Sequence, residues 1–505
     1  MTQKQAIRIH PDDNVAVALA TLRAGTAIEI GGQTVVLTTD VPAGHKLALT
    51  DLNAYSQVIK YGEPIGHTLR HIDRGSLIDH NNISTNLTGT LKYNSITIGH
   101  GPLPASESSA SFSGYLRSNG QVGIRNELWV IPTVGCVNGI VRSIVARFKA
   151  EKGDHPQGID AVVPFTHNYG CSQLGDDHEN TRRILRNMVH HPNAGGILVI
   201  GLGCENNQPR DFEEFCGDYD HQRVRFMTSQ EVEGDEVEYG LSLLYELYAT
   251  AATYHRSQQP LSALRIGLKC GGSDGFSGIT ANPLLGSFSD WLCTGHGGTT
   301  VLTEVPEMFG AEMMLMRRAA STDVLNKIID LINDFKNYFL SHGYPIGENP
   351  SPGNKAGGIS TLEEKALGCT QKSGNAAVCG VLQYGERLAS SAYGLYLLSA
   401  PGNDLVATTA LAAAGCQLIL FTTGRGTPFA TFVPTLKVST NTALYTHKPH
   451  WIDFNAGTLI EGETMQSLSQ RFIATILDVV EGRKSTVSEK NQYAEMAIFK
   501  NGITL

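Results

Sequence analysis

Residues 166–181, THNYGCSQLGDDHENT, place His167, Cys171, Asp176, Asp177 and His178 within twelve positions, directly after the apolar run IDAVVPF. Imidazole, thiol and carboxylate together can bind a metal or move protons. Cysteine recurs in the same setting, beside glycine, at Cys136 (VGCVNG), Cys204 (LGCENN) and Cys270 (KCGGSD). Any one such cysteine reads first as a small buried hydrophobe, but four of them at four turns invite a shared role. No CxxC pair occurs, which disfavours structural zinc, whereas soft thiolates suit iron as a single Fe(II) or as a cluster. Glu205 follows Cys204, and Glu304 and Glu307 lie in TEVPEMFGAE; each is a ligand or base if it faces a crevice and a solvated side chain if it does not. Lys355 in NPSPGNKAGG and Arg425 in TTGRGTP have the charge to grip a substrate carboxylate, against a plain surface role. Asp176 and Asp177 have their own ordinary reading, as caps that favour the dipole of a helix starting at DDHENTRR.

What positions these residues is a series of strands. AVVPF, GGILVIG, ALRIGL, TTVL, YGLYLLSA and CQLILFTT each run into a polar, glycine-rich loop, and helical stretches such as VNGIVRSIVARFKAE and STDVLNKIIDLINDFKNYFLSHG alternate with them. That alternation predicts an α/β region with mainly parallel sheets, where the carboxyl ends of strands share one edge and bind ligands there. The expectation is therefore one site, with the 166–181 cluster as a wall. GLGCEN is not GxGxxG, so a dinucleotide site has weak support. Ahead of this region, residues 7–85 alternate short β-branched runs with Gly and Pro turns, which predicts a small all-β module within residues 1–100. GPLPASESSASFSG, residues 101–114, reads as a linker, and the catalytic region 115–505 divides near 255–264 if it divides at all.

At 505 residues, with 41% hydrophobic and 17% charged side chains, the chain can fill more than one core. A net charge of -9 excludes a broad basic field for nucleic acid. No apolar run approaches the length of a membrane span and no signal peptide opens the sequence, so a cytoplasmic protein with reduced cysteines is expected. The oligomeric state is left open, a homo-oligomer being compatible with all of this.

Many segments, among them GHKLAL, VIKYGEPIG, HNYGCSQLGDDH, VIGLGCENNQ, CGGSDGFSGITANP, EVPEMFGAE, ENPSPGNKAGGISTLEEKALGCTQKSG, SAPGNDLVATTALAAAGC and WIDFNAG, closely resemble the altronate/galactarate dehydratase family, which also holds sulfolactate sulfo-lyases. The resemblance runs from His10 to Leu505, and QLGDDHENT with PEMFGAE resembles the altronate-acting branch. One departure is Ala430 in TGRGTPFATF, where the family more often has glycine. The resemblance implies an N-terminal β-clip module of the SAF type and dehydration of D-altronate to 2-dehydro-3-deoxy-D-gluconate in galacturonate breakdown. It also implies Fe(II), with Mn(II) as substitute, as activating metal; an iron–sulfur cluster is the alternative. Alternatives of substrate and class are galactarate or another sugar acid, and a sugar-acid binding protein without turnover. Loss of water from such an acid needs a base for the C2 proton, an acid for the C3 hydroxyl and positive charge at the carboxylate. His167 is the expected base, with His45 of the small module and Lys355 as further catalytic groups. Asn168, Gln208, Ser273, Asp274, Asn282 and Arg425 are expected to hold the substrate, and Cys171, Cys204, Glu205 and Cys270 the metal.

Overall fold

The computed structural model describes residues 4–93, 96–99, 101 and 109–505. Half of the stretch read as a linker, residues 102–108, lies outside the described residues. Its far end is not linker: Ser111–Leu116 is a strand, paired antiparallel with Ser257–Pro260. The segment 255–264, where a division was expected, thus contributes a strand to a small sheet, and Leu261 and Leu264 are buried in the largest core.

The N-terminal part is all-β. Val15–Ala18 pairs with Ala6–Ile7 on one side and with Lys46–Ala48 on the other, all antiparallel, and Leu77–Ile78 completes the sheet. A hairpin, Ala27–Ile30 with Gln33–Val36, turns on Gly31 and Gly32, both at positive φ as such tight turns require. The strands are short because every few residues a Gly or Pro turn interrupts the ladder, and the alternate side chains Ile28, Ile30 and Val35 fill a core of their own.

Apart from the small antiparallel sheet that holds Ser111–Leu116, the remainder is α/β and parallel, in two sheets. Four strands run in the order Val162–Pro164, Glu127–Pro132, Ala194–Gly201, Val224–Thr228. Seven run in the order Val378–Leu382, Gly394–Leu398, Thr299–Leu302, Arg265–Cys270, Leu418–Thr423, Thr435–Ser439, Phe454–Asn455. Glu127–Pro132, Ala194–Gly201 and Leu418–Thr423 are buried along their whole lengths, which is why they read as unbroken apolar runs: helices cover both faces. Asn138–Lys152 and Glu236–Ala251 cover the small sheet, burying Ile144, Phe148, Leu244 and Leu247 against Leu198 and Ile200. The six expected strands are all present, but they divide between the two sheets, so their carboxyl ends form two edges in place of one. No helix among the described residues is long and apolar enough to cross a membrane.

Candidate functional site

The edge of the seven-stranded sheet carries a buried network of opposite charges. Lys269 and Cys270 end the central strand Arg265–Cys270, and Glu304 and Glu307 follow the neighbouring strand Thr299–Leu302. Lys365 and Cys369 lie on the helix Leu362–Thr370, and Lys372 follows in the turn Gln371–Ser373. The ammonium of Lys269 contacts Glu304 and lies 2.8 Å from Asp404. Lys372 donates to Glu304 Oε2 at 2.7 Å and to Cys270 Sγ at 2.9 Å, and Lys365 lies 2.8 Å from Glu307 Oε1. Glu307 Oε2 accepts from Cys369 Sγ at 3.1 Å, and the two thiols stand 3.3 Å apart. Glu304 adopts φ +70°, the left-handed region that non-glycine residues avoid at a cost of about 1–3 kcal/mol, and such strain persists only where neighbours hold it. The two lysines and the Cys270 N–H that grip its carboxylate are those neighbours.

The electrostatics split the two glutamates. Burial, and then the like charge of Glu307, lift Glu304 above the usual carboxylate range against the pull of Lys269 and Lys372. Burial acts the same way on Glu307, but Lys365, Lys269 and Lys372 outweigh it and hold its carboxyl well below that range. Burial opposes the charge of Lys365, and Glu307 with the nearby thiols more than offsets it, so this lysine stays an ammonium. Two carboxyls whose environments push them apart are the arrangement that lets one side chain carry a proton beside a fixed anion.

A small cavity adjoins this network, lined by Ser273, Asp274, Asn282, Lys365 and Cys369 together with Lys60 and Tyr61 of the N-terminal module. The module is seated there by charge: Lys46 and Lys60, both buried, each lie 2.8 Å from the buried Glu364 carboxylate. Burial would raise Glu364, yet the two ammonium groups bring it down to about 2. Lys60 is raised above the lysine range by this carboxylate, against its burial, while Lys46 is lowered by its burial and by Lys60 beside it. The backbone fits closely too. The Gly275 N–H donates to the Gly357 carbonyl at 2.8 Å, and a side chain at Gly275 would run into the carbonyl of Gly44, the neighbour of His45.

The expected residues fall into two groups. Cys270, Ser273, Asp274, Asn282, Lys355, Arg425 and His45 gather at the larger sheet's edge. Within it, Ser273 Oγ is buried without a partner and faces the cavity, as a substrate contact would. Asp274 and Asn282 line the cavity with their own bonds filled. Asp274 accepts from Thr440, Asn441, Ser277 and the Phe276 N–H, and Asn282 bridges Thr422 to the Gly368 carbonyl. They shape the cavity walls. Lys355 is half-buried in the short helix Pro352–Ala356, Arg425 is exposed beside Gly353, and His45 is half-buried, its pKa lowered by that burial.

The second group, His167, Asn168, Cys171, Cys204, Glu205 and Gln208, lies at the edge of the four-stranded sheet. His167 is not placed to act as a base. Its Nε2–H donates to the Pro132 carbonyl at 2.8 Å, its Nδ1 accepts the Tyr169 N–H at 3.1 Å, and burial lowers its pKa to about 4. A neutral ring with both nitrogens engaged is a strut of the loop. Glu205 likewise corrects from metal ligand to loop strut, because its oxygens accept from Thr133, Leu202 and Gly203 at 2.6–3.0 Å. Gln208 and Asn168 are exposed, and the Gln208 amide donates to the Glu205 carbonyl. Asp176 and Asp177 lie in the first turn of their helix, where their charge favours its dipole, but neither caps it: Leu174 occupies the cap, and Asp177 accepts the backbone N–H groups of Asn501 and Gly502. Ala430 makes no break in its loop, its backbone pairing with Glu495.

Lys269, Lys365, Lys372, Lys60 and Glu364 were not among the expected site residues. For three of the network's members a signal exists: Lys365, Cys369 and Lys372 stand at i, i+4 and i+7, the spacing of one helix face, with Lys372 in the turn just past the helix end.

Three family descriptions cover the chain in order. Residues 4–86 match the altronate/galactarate dehydratase SAF domain, 114–252 the second domain of D-galactarate dehydratase/altronate hydrolase, and 261–504 the C-terminal D-galactarate/altronate dehydratase region. The chain is 55% identical over 501 residues to the altronate dehydratase of Escherichia coli (strain K12), covering 99% of this chain and all of that one. It belongs to the altronate/galactarate dehydratase family. A second member, the altronate dehydratase of Bacillus subtilis (strain 168), is 55% identical over 503 residues, again with 99% and 100% covered. The galactarate dehydratase (L-threo-forming) of Escherichia coli (strain K12) is 35% identical over 513 residues, with 98% of this chain and 96% of that one covered. The family's SAF domain is thus the all-β module whose Lys46 and Lys60 reach the buried network.

Proposed function

We propose that this protein is a hydro-lyase that converts D-altronate to 2-dehydro-3-deoxy-D-gluconate and water. The observation that carries the substrate choice is whole-length identity of 55% to two altronate dehydratases against 35% to a galactarate dehydratase. We place the reaction at the cavity beside the lysine–glutamate network. The substrate carboxylate meets the ammonium of Lys365, and hydroxyls meet Ser273 Oγ. Glu304 is not among the residues lining the cavity; its carboxylate, gripped by Lys269 and Lys372, anchors those ammonium groups beside it. The C2 proton must pass to a base, and the negative charge that then spreads onto the carboxylate would be stabilised by the fixed ammonium of Lys365. The enol so formed becomes the ketone when C3 takes a proton.

Iron is part of this reading, Mn(II) its substitute, and when bound it supplies a Lewis acid for the carboxylate or leaving hydroxyl. Two places offer thiols. Cys270, Glu307 and Cys369 have ligand atoms within 4.8 Å of one another, but Lys372 and Lys365 already bond to two of them, and a divalent cation there would face two ammonium groups. The buried set therefore fits a metal poorly. The other thiols, Cys136, Cys171 and Cys204, are exposed at the smaller sheet's edge, which is not the edge where the reaction is placed.

A panel of five- and six-carbon sugar acids, scored by 2-keto acid formation, tests the substrate. Altronate should exceed galactarate in kcat/KM, and in deuterated water the product should carry one solvent deuteron at C3. A preference for galactarate would reverse the substrate assignment, an unlabelled C3 would replace elimination by an internal hydride shift, and tight binding without turnover would leave a binding protein.

A further inference from the structure

We propose that Tyr61 of the N-terminal module is the general acid of the dehydration and gives its phenolic proton to the departing C3 hydroxyl, a role that rests on the dehydratase reading and that no residue has yet filled.

Tyr61 sits where tyrosine is disfavoured. Gln57–Lys60 and Glu63–Thr68 form a hairpin in which Lys60 pairs with Glu63, so Tyr61 and Gly62 are the two central residues of its turn. Both are left-handed, at φ +63° and +76°, a turn that calls for Asn, Asp or Gly at its first position. The module's other two-residue hairpin follows that rule with Gly31 and Gly32, and a side chain at Gly31 would meet nothing. A bulky residue is therefore held at position 61 in a conformation that resists it, and its surroundings must keep it there. Tyr55 is also left-handed but is 76% exposed, whereas Tyr61 is half-buried and packs against Ala366 and Leu367 of the larger region.

That region makes room for the phenol. A side chain at Gly278 would run into the Tyr61 hydroxyl, and one at Gly368 would stand 3.4 Å from it. Neither glycine has a left-handed backbone, and Gly368 lies inside the helix Leu362–Thr370, where glycine is a poor choice, so what the two supply is space. Both line the cavity with Ser273 and Lys365, which puts the hydroxyl in the wall where the substrate is placed.

The proton is available there. Burial raises the phenol above the tyrosine range, against the pull of Lys60, so it is protonated at neutral pH. Lys60 Nζ lies 4.9 Å from the ring centre, and as an ammonium it can only donate, so the phenol's proton is not spent on it. The other ionisable groups of the wall are engaged: Asp274 accepts from Thr440 and Asn441, Glu364 holds Lys46 and Lys60, and Lys365 and the Cys369 thiol both bond Glu307. When the C3–O bond breaks, its electron pair stays on the oxygen, which takes the Tyr61 proton and leaves as water, and the phenolate left behind is next to the Lys60 ammonium. Tyr61 then regains a proton from solvent, matching the one that the C2 base returns to it.

The test is Tyr61→Phe in the full chain, with thermal melting as the check on folding. On altronate its kcat should fall about a hundred- to ten-thousandfold, the range for one general acid, with KM little changed. On the altronate analogue that carries fluorine in place of the C3 hydroxyl, fluoride leaves without a proton, and the variant should stay within about tenfold of the unaltered protein. Equal losses on both substrates by a folded variant, or no loss on altronate, overturns the proposal. If the variant melts early, 3-fluorotyrosine placed at position 61 decides the matter, because it keeps the hydroxyl and ionises more readily. The alkaline fall in kcat should then move to lower pH, and an unmoved profile overturns the proposal. Unaltered protein that turns over no sugar acid removes the dehydratase reading and the role of Tyr61 with it, whereas full turnover by Tyr61→Phe removes the role of Tyr61 alone.

Discussion

Lys365→Met lowers kcat on altronate by about a hundred- to a thousandfold, the range for losing one fixed group that stabilises charge developing in a transition state. Lys365 is the ammonium that both lines the cavity and bonds Glu307, and Met keeps most of its length while removing the charge. The loss should appear in kcat more than in KM, because the carboxylate's charge grows only as the C2 proton departs. Lys365→Arg, which keeps the charge but not the point geometry, should recover part of the rate. Thermal melting separates chemistry from folding, since the substitution also leaves Glu307 short of its nearest cation. A folded Met variant with kcat unchanged would place the reaction elsewhere in the molecule.

Glu364→Ala costs about 3–5 kcal/mol of stability, because it leaves Lys46 and Lys60 buried with no carboxylate between them. Denaturant unfolding measures this, and limited proteolysis should show the N-terminal module cut first. Adding Lys46→Met to Glu364→Ala should return part of the loss, since it removes one of the two stranded charges. The pH dependence has a definite sign. Glu364 is held near 2 in the folded chain against 4.5 for the free side chain, so its contribution is in force above pH 4.5 and drains away as pH falls toward 2. Stability of Glu364→Ala equal to that of the unaltered protein at neutral pH would mean that the three charges do not hold the module in place.

The strands were legible because a parallel strand covered on both faces must be apolar throughout, and Ala194–Gly201 and Leu418–Thr423 advertise this between glycine turns. Their division into two sheets was not, because pairing partners leave no mark on runs that are equally apolar. The same limit governs the site. Cys270 and Ser273 could be found from their loop, since glycine beside a nucleophilic residue at a strand end is a local pattern. Lys269 could not, being a charge at the end of a strand whose middle is apolar, and Lys365 and Lys372 show only their spacing with Cys369 in a segment that otherwise reads as an ordinary charged helix. His167 misled for the opposite reason. A histidine in a polar loop suggests proton transfer, and only the positions of the Pro132 carbonyl and the Tyr169 N–H reveal that both its nitrogens are taken.

The bond between Asp177 and the backbone of Asn501 has a bearing on how the protein is made. Those partners are 324 residues apart, and nearby the Leu505 N–H donates to the Ser172 carbonyl, next to Cys171. During synthesis the turn that carries Cys171 emerges long before the segment that fastens it. That turn therefore reaches its final shape only after residues 501–505 have left the ribosome.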